Sequence, residues 1–110
     1  MNLYEMKQSG FCVLRPSGQL GSGNSAEFER EVRNRIEAGN TKIVIDFGDL
    51  DYISSAGLRV LLVLAKTLKT DGGTLALCSM NSTVAEVFEV TGFSAILPIH
   101  QSLDEALLSG

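Results

Sequence analysis

Ser54 and Ser55 stand side by side ahead of Ala56 and Gly57, where an acidic loop meets a long apolar segment. Paired hydroxyls at a helix start can do two kinds of chemistry. One can accept a bond from a free backbone N–H and cap the helix. A serine can also act as a nucleophile, but it then needs a base within reach. His100 is the single imidazole of the chain, near its end in the stretch Ile96–His100. No nucleophile-elbow pattern surrounds either serine, so a hydrolytic site using Ser55 with His100 or a lysine is disfavoured. His100 reads instead as a strand-end or surface residue. Cys12 and Cys78 lack CxxC spacing, which points to two buried free thiols rather than a zinc site or a redox pair. The run Gly18–Gly23 carries three glycines, but its GxxGxG spacing has no following GK[ST] and meets neither nucleotide-binding fingerprint. Gly57 falls in the first turn of the coming helix, where Gly costs ~1 kcal/mol against Ala. Its missing side chain implies a close approach, by the protein's own backbone or by a partner.

The elements that must position these residues alternate. Residues 2–8 and 11–15 read as a hairpin turning at Ser9-Gly10. Pro16 and Gly18 end its second strand, and Gly18–Gly23 reads as a flexible loop. Asn24 and Glu27 have capping-box spacing, and Phe28, Val32 and Ile36 mark the buried face of a first helix that stops at Gly39. Lys42–Phe47 (KIVIDF) lacks alternation, as a strand covered on both faces does. Gly48–Ser54 is its exit loop. From Ser55 to about Lys69, Leu58, Leu61, Leu62, Ala65 and Leu68 follow the helical period, Val60, Val63 and Leu64 widen the apolar surface, and most of this helix should be buried. Thr74–Cys78 is another buried strand. Asn81 opens a third helix with Val84, Val87 and Phe88 inward. Ile96–Ile99 is a last strand demoted by Pro98, and Ser102 with Glu105 caps a short final helix. The order β-β-α-β-α-β-α-β-α predicts an α/β domain whose mixed sheet is mainly parallel, with an N-terminal hairpin and about four helices packed on it.

The chain has 110 residues, with 9 Lys plus Arg against 13 Asp plus Glu and a net charge of −4. That length suits one domain. The acidic balance argues against nucleic acid, and no apolar run is long enough to span a membrane. The first ten residues lack a secretion signal, so a cytoplasmic location is expected.

Asp49–Leu62 (DLDYISSAGLRVLL), with KIVIDF before it and DGGTLALC (Asp71–Cys78) and VFEVTGF (Val87–Phe93) after it, resembles STAS domains of the bacterial anti-sigma factor antagonist family. The resemblance covers essentially the whole chain, and Ser-Ser-Ala-Gly-Leu-Arg is its specific part. It implies one STAS domain over residues 1–110, acting as a binding switch and not as an enzyme, without cofactor or metal. Family members bind an anti-sigma factor that is also a serine kinase with an ATP-binding fold. Phosphorylation of one serine dissolves the complex, and a metal-dependent PP2C-type phosphatase restores the binding form. The family's common form is Asp-Ser-Ser/Thr-Gly-Leu. Anchoring on Gly57-Leu58 puts Ser55 at the phosphoacceptor, Ser54 where the Asp stands, and Ala56 at the second hydroxyl; Ser54 is the minor alternative acceptor. The implied partner surface comprises Gly21, Ser22, Asp51, Ser54, Ser55, Ala56, Gly57 and Arg59, on a chain expected to be a monomer when free.

Two positions depart from the pattern. No Asp directly precedes the acceptor, a role for which Asp46, Asp49 and Asp51 are the nearby carboxylates. The family's frequent Gly-x-Leu-Asp reads Gly18-Gln19-Leu20-Gly21 here. The rival reading within the same family is a non-switching scaffold, or an accessory subunit of a transport or signalling complex. Neighbouring kinase and phosphatase genes would favour the switch, and transporter genes the accessory role.

Overall fold

The computed structural model describes residues 2–108. Its elements in chain order are β1 (Leu3–Gln8), β2 (Phe11–Pro16), β3 (Gly18–Leu20), α1 (Ser25–Glu37), β4 (Lys42–Asp46), β5 (Leu50–Ile53), α2 (Ser55–Thr70), β6 (Thr74–Cys78), α3 (Ser82–Val90), a 3-10 turn (Phe93–Ala95), β7 (Ile99–His100) and α4 (Leu103–Leu108). The β1–β2 hairpin turns on Ser9 and Gly10 at φ 55° and 83°, the positive pair that a two-residue type I′ turn requires.

Five strands form one sheet in the order β1-β2-β4-β6-β7. Only β1–β2 is antiparallel; β2–β4, β4–β6 and β6–β7 are parallel. This is the mixed, mainly parallel sheet with an N-terminal hairpin and four helices that the residue pattern predicts. The uninterrupted Ile43-Val44-Ile45 run has its stated cause. Ile43 and Ile45 join the large core with Phe28, Leu61 and Phe88 under α1, α2 and α3, while Val44 joins Phe11, Val13, Cys78 and Ala106 under α4. Both cysteines are free and buried.

Three expectations are corrected. The stretches read as a flexible loop and an exit loop each contain a strand, and β3 and β5 pair in parallel as a separate two-stranded sheet. The buried stripe of α2 runs through Leu58, Leu61, Leu64 and Leu68, with Leu62 and Ala65 half-buried at its margins. The last strand lies at Ile99–His100 rather than Ile96–Ile99. A 3-10 turn occupies Phe93–Ala95 instead, and Pro98, lacking an N–H, contributes only its carbonyl to Leu77 N at 3.0 Å.

Candidate partner-binding site

The short β3–β5 sheet delivers both segments of the site. Gly18, Gln19 and Leu20 are in register with Leu50, Tyr52 and Ile53. The ladder continues one step further, because Ser54 N donates to Leu20 O at 2.9 Å. Each strand then leads toward a helix, β3 into α1 through the glycine-rich turn and β5 directly into α2. A shallow depression of about 490 Å³ lies at this junction, lined by Gln19, Gly21, Ser22, Asn24, Tyr52 and Ser54 among others.

Asn24 occupies the N-cap of α1, but the expected capping box does not form. Its side chain instead accepts from Gly21 N at 2.9 Å and donates to Gln19 O at 2.8 Å. The turn between β3 and α1 has backbone groups of its own to satisfy, and the Asn24 amide meets two of them.

Ser54 is the N-cap of α2, and its carbonyl accepts the first helical bond from Leu58 N at 3.0 Å. Its hydroxyl makes no cap bond, contrary to the expectation that one hydroxyl of the pair would do so. Ser54 Oγ is enclosed and has no hydrogen-bond partner among the described residues. It lies against Gly21, where a Cβ would stand 3.5 Å from it. Ser55, one residue on, is exposed, as are Ser22, Asp51 and Arg59; Gly21 and Ala56 are half-buried.

Gly57 is buried. A Cβ on it would stand 2.8 Å from Ile53 Cγ1 and 3.0 Å from both Leu20 Cγ and Leu20 O. Of the two causes that the sequence leaves open, the close approach is therefore the protein's own: α2 starts hard against β3 and β5. Gly57 does not belong to the exposed surface on which it was expected.

Asp46 cannot replace the carboxylate missing before Ser55. It is 3% exposed, and both of its oxygens are engaged. Oδ2 accepts from Arg15 Nε at 3.2 Å and Nη2 at 3.0 Å, and Oδ1 accepts from Gly48 N at 2.8 Å. The Asp46 carboxylate raises the pKa of the Arg15 guanidinium above its ordinary value. This clamp fixes the turn that leads from β4 to β5.

Sequence reasoning missed a second tether. Asn81 caps α3 by accepting from Val84 N at 2.7 Å, and its Nδ2 donates to Leu50 O of β5 at 3.0 Å. Asn at a helix start signals the cap, but nothing local signals the bond made 31 residues away.

His100 sits at the end of β7, with Nδ1 3.7 Å from Glu105 Oε1. Among the described residues, no group of three or more His, Cys, Asp or Glu is placed to hold a metal ion. No helix among them is long and apolar enough to cross a membrane.

The sequence profile of the STAS domain matches residues 5–106. BtrV of Bordetella bronchiseptica, named as a candidate anti-sigma factor antagonist, is 41% identical over 106 residues, which span 96% of this chain and 91% of BtrV. The crystal structure of tm1081 from Thermotoga maritima, also named as a candidate anti-sigma factor antagonist, superposes with a TM-score of 0.92 at 26% identity, covering 97% of this chain and 92% of that one. The anti-sigma factor antagonist SpoIIAA of Bacillus shares the fold in two solved forms. The unphosphorylated form gives a TM-score of 0.81 at 22% identity, covering 96% of this chain and 93% of that one. The phosphorylated form gives 0.73 at 21%, covering 96% of each chain.

Proposed function

The chain belongs to the STAS domain family, and on that premise we propose that it is an anti-sigma factor antagonist switched by phosphorylation of Ser55. In this reading the unmodified chain binds a serine-kinase anti-sigma factor through the exposed surface around the start of α2. The kinase phosphorylates Ser55, the complex dissociates, and a PP2C-type phosphatase restores binding. All of this takes place in the cytoplasm, where ATP is available.

The observation that carries the choice of acceptor is the contrast between the two hydroxyls. Ser55 is exposed at the first position of α2, whereas Ser54 Oγ is enclosed against Gly21. A kinase must bring the γ-phosphate of ATP within bonding distance of the acceptor oxygen. In the transfer, Ser55 Oγ bonds to the γ-phosphorus, the bond to the bridging oxygen breaks and ADP leaves. The hydroxyl proton passes to a base of the kinase. Ser54 Oγ would have to leave its enclosure first.

The phosphate adds about −1.5 to −2 charge at a helix N-terminus, where free N–H groups and the dipole favour an anion. No acidic residue lies in the first turn of α2 to oppose it. The fold therefore tolerates the modification, and the cost falls on the complex, where the phosphate must be desolvated and accommodated. Each 1.4 kcal/mol of such cost lowers affinity about tenfold. The chain supplies a rigid surface and one modifiable hydroxyl, and the partner supplies the catalytic groups.

The test is incubation with candidate serine kinases and Mg-ATP, followed by mapping of the phosphopeptide. Phosphate on Ser55, lost in Ser55→Ala and kept in Ser54→Ala, supports the reading; phosphate on Ser54 overturns it.

A further inference from the structure

Ser55 and Arg59 are four residues apart on α2, and both are exposed. Residues at i and i+4 of a helix lie on one face, with Cβ atoms about 5–6 Å apart. Arg15, Arg33 and Arg35 each pair with a carboxylate. The Arg59 side chain makes no ion pair or hydrogen bond among the described residues, and the first turn of α2 holds no carboxylate to compete for it.

We propose that Arg59 is the intramolecular partner of the Ser55 phosphate. The inference rests on Ser55 being the acceptor and adds what phosphorylation does to the surface. An anion placed four residues before a cation is the favoured order of such a pair. The guanidinium fork also matches phosphate oxygens with two parallel bonds, which an ammonium cannot do. The unmodified helix start presents a free cation to the partner. The modified one presents an anion that has drawn that cation onto itself. An acidic contact on the partner thus loses Arg59 at the moment it meets the phosphate. Phosphorylation acts by withdrawal as well as by intrusion.

The experiment needs no kinase. Phosphoserine is incorporated at position 55 during translation, in the otherwise unchanged chain and in Arg59→Gln, and the phosphate is titrated by phosphorus NMR. The nearest charged residues before it in the chain, Asp49 and Asp51, are acidic and are the same in both proteins. The difference between the two proteins therefore reports Arg59. The phosphate with Arg59 should titrate about 0.2–0.4 pH unit lower than with Gln. The gap should close at about 1 M salt and should be partly restored in Arg59→Lys. Because Arg59 is exposed, Arg59→Gln should leave the urea midpoint of the unmodified chain essentially unchanged. Superimposable titrations with Arg59 and with Gln would overturn the proposal. Phosphate mapped to Ser54 by the kinase experiment would instead overturn the acceptor assignment, and the titration result would stand independently of it.

Discussion

A Cβ on Gly57 would meet the carbonyl oxygen of Leu20 at 3.0 Å, so α2 begins in contact with the backbone of β3. The contact joins the two segments of the site, since Leu20 leads into the Gly21–Asn24 turn and Gly57 follows Ser55 by two residues. Gly57→Ala should force these segments apart. Overpacking of this kind costs about 1–3 kcal/mol, more than Ala recovers through helix propensity. Urea unfolding should show a lower midpoint at unchanged slope. An unchanged or higher midpoint would mean that the junction relaxes freely.

The Arg15–Asp46–Gly48 clamp should be a separate stability element. Asp46→Ala removes the acceptor of three hydrogen bonds and leaves Gly48 N–H and the Arg15 guanidinium without it. Because the Arg15 side chain keeps 33% exposure, water recovers part of the loss, and about 1–3 kcal/mol is expected. Combined with Arg15→Ala, the loss should be smaller than the sum of the two singles, which a double-mutant cycle measures.

The sequence made most of the fold legible because most elements carry a strong period or a strong terminator. Phe28, Val32 and Ile36 mark α1, KIVIDF marks the doubly covered strand, and Ser102 forms its predicted cap, accepting from Glu105 N at 3.1 Å. The β3–β5 sheet escaped because its strands carry no alternation. Leu50 and Ile53 are buried while Asp51 and Tyr52 between them are exposed, and β3 is three residues with a register shift beside Gly18. The site segment itself stood out by residue type, but which serine is accessible depends on how Gly21 lies against Ser54, a contact 33 residues apart in sequence. Gly57 was legible as a close approach but not as to what approaches, because Leu20 is more remote still in the chain.

Asn81 separates capping from tethering. Asn81→Ser keeps an oxygen able to cap α3, since the two residues are near-equal caps, but loses the donor to Leu50 O. Hydrogen exchange should accelerate at the backbone amides of Leu50–Ser55 while α3 stays protected. Unchanged protection of β5 would show that the β3 ladder alone holds the strand.

The thiols give a pH signature. Burial pushes both Cys12 and Cys78 up from 9.0 to about 11, with the Glu5 carboxylate adding to the effect at Cys12. A group whose folded pKa is raised contributes stability that is complete below its unfolded pKa and lost as pH rises through the folded value. Unfolding free energy should therefore fall between about pH 9 and pH 11, and the fall should shrink when both residues are replaced by Ala. At pH 8 the native thiols should resist alkylation and react only on unfolding.

The central claim concerns one hydroxyl and one complex, and the direct measurement is the dissociation constant of the kinase partner for three forms of the chain. Unmodified protein and Ser55→Ala should bind alike, and the form carrying phosphoserine at position 55 should bind at least tenfold more weakly. Equal affinity for the unmodified and phosphorylated forms would contradict the account.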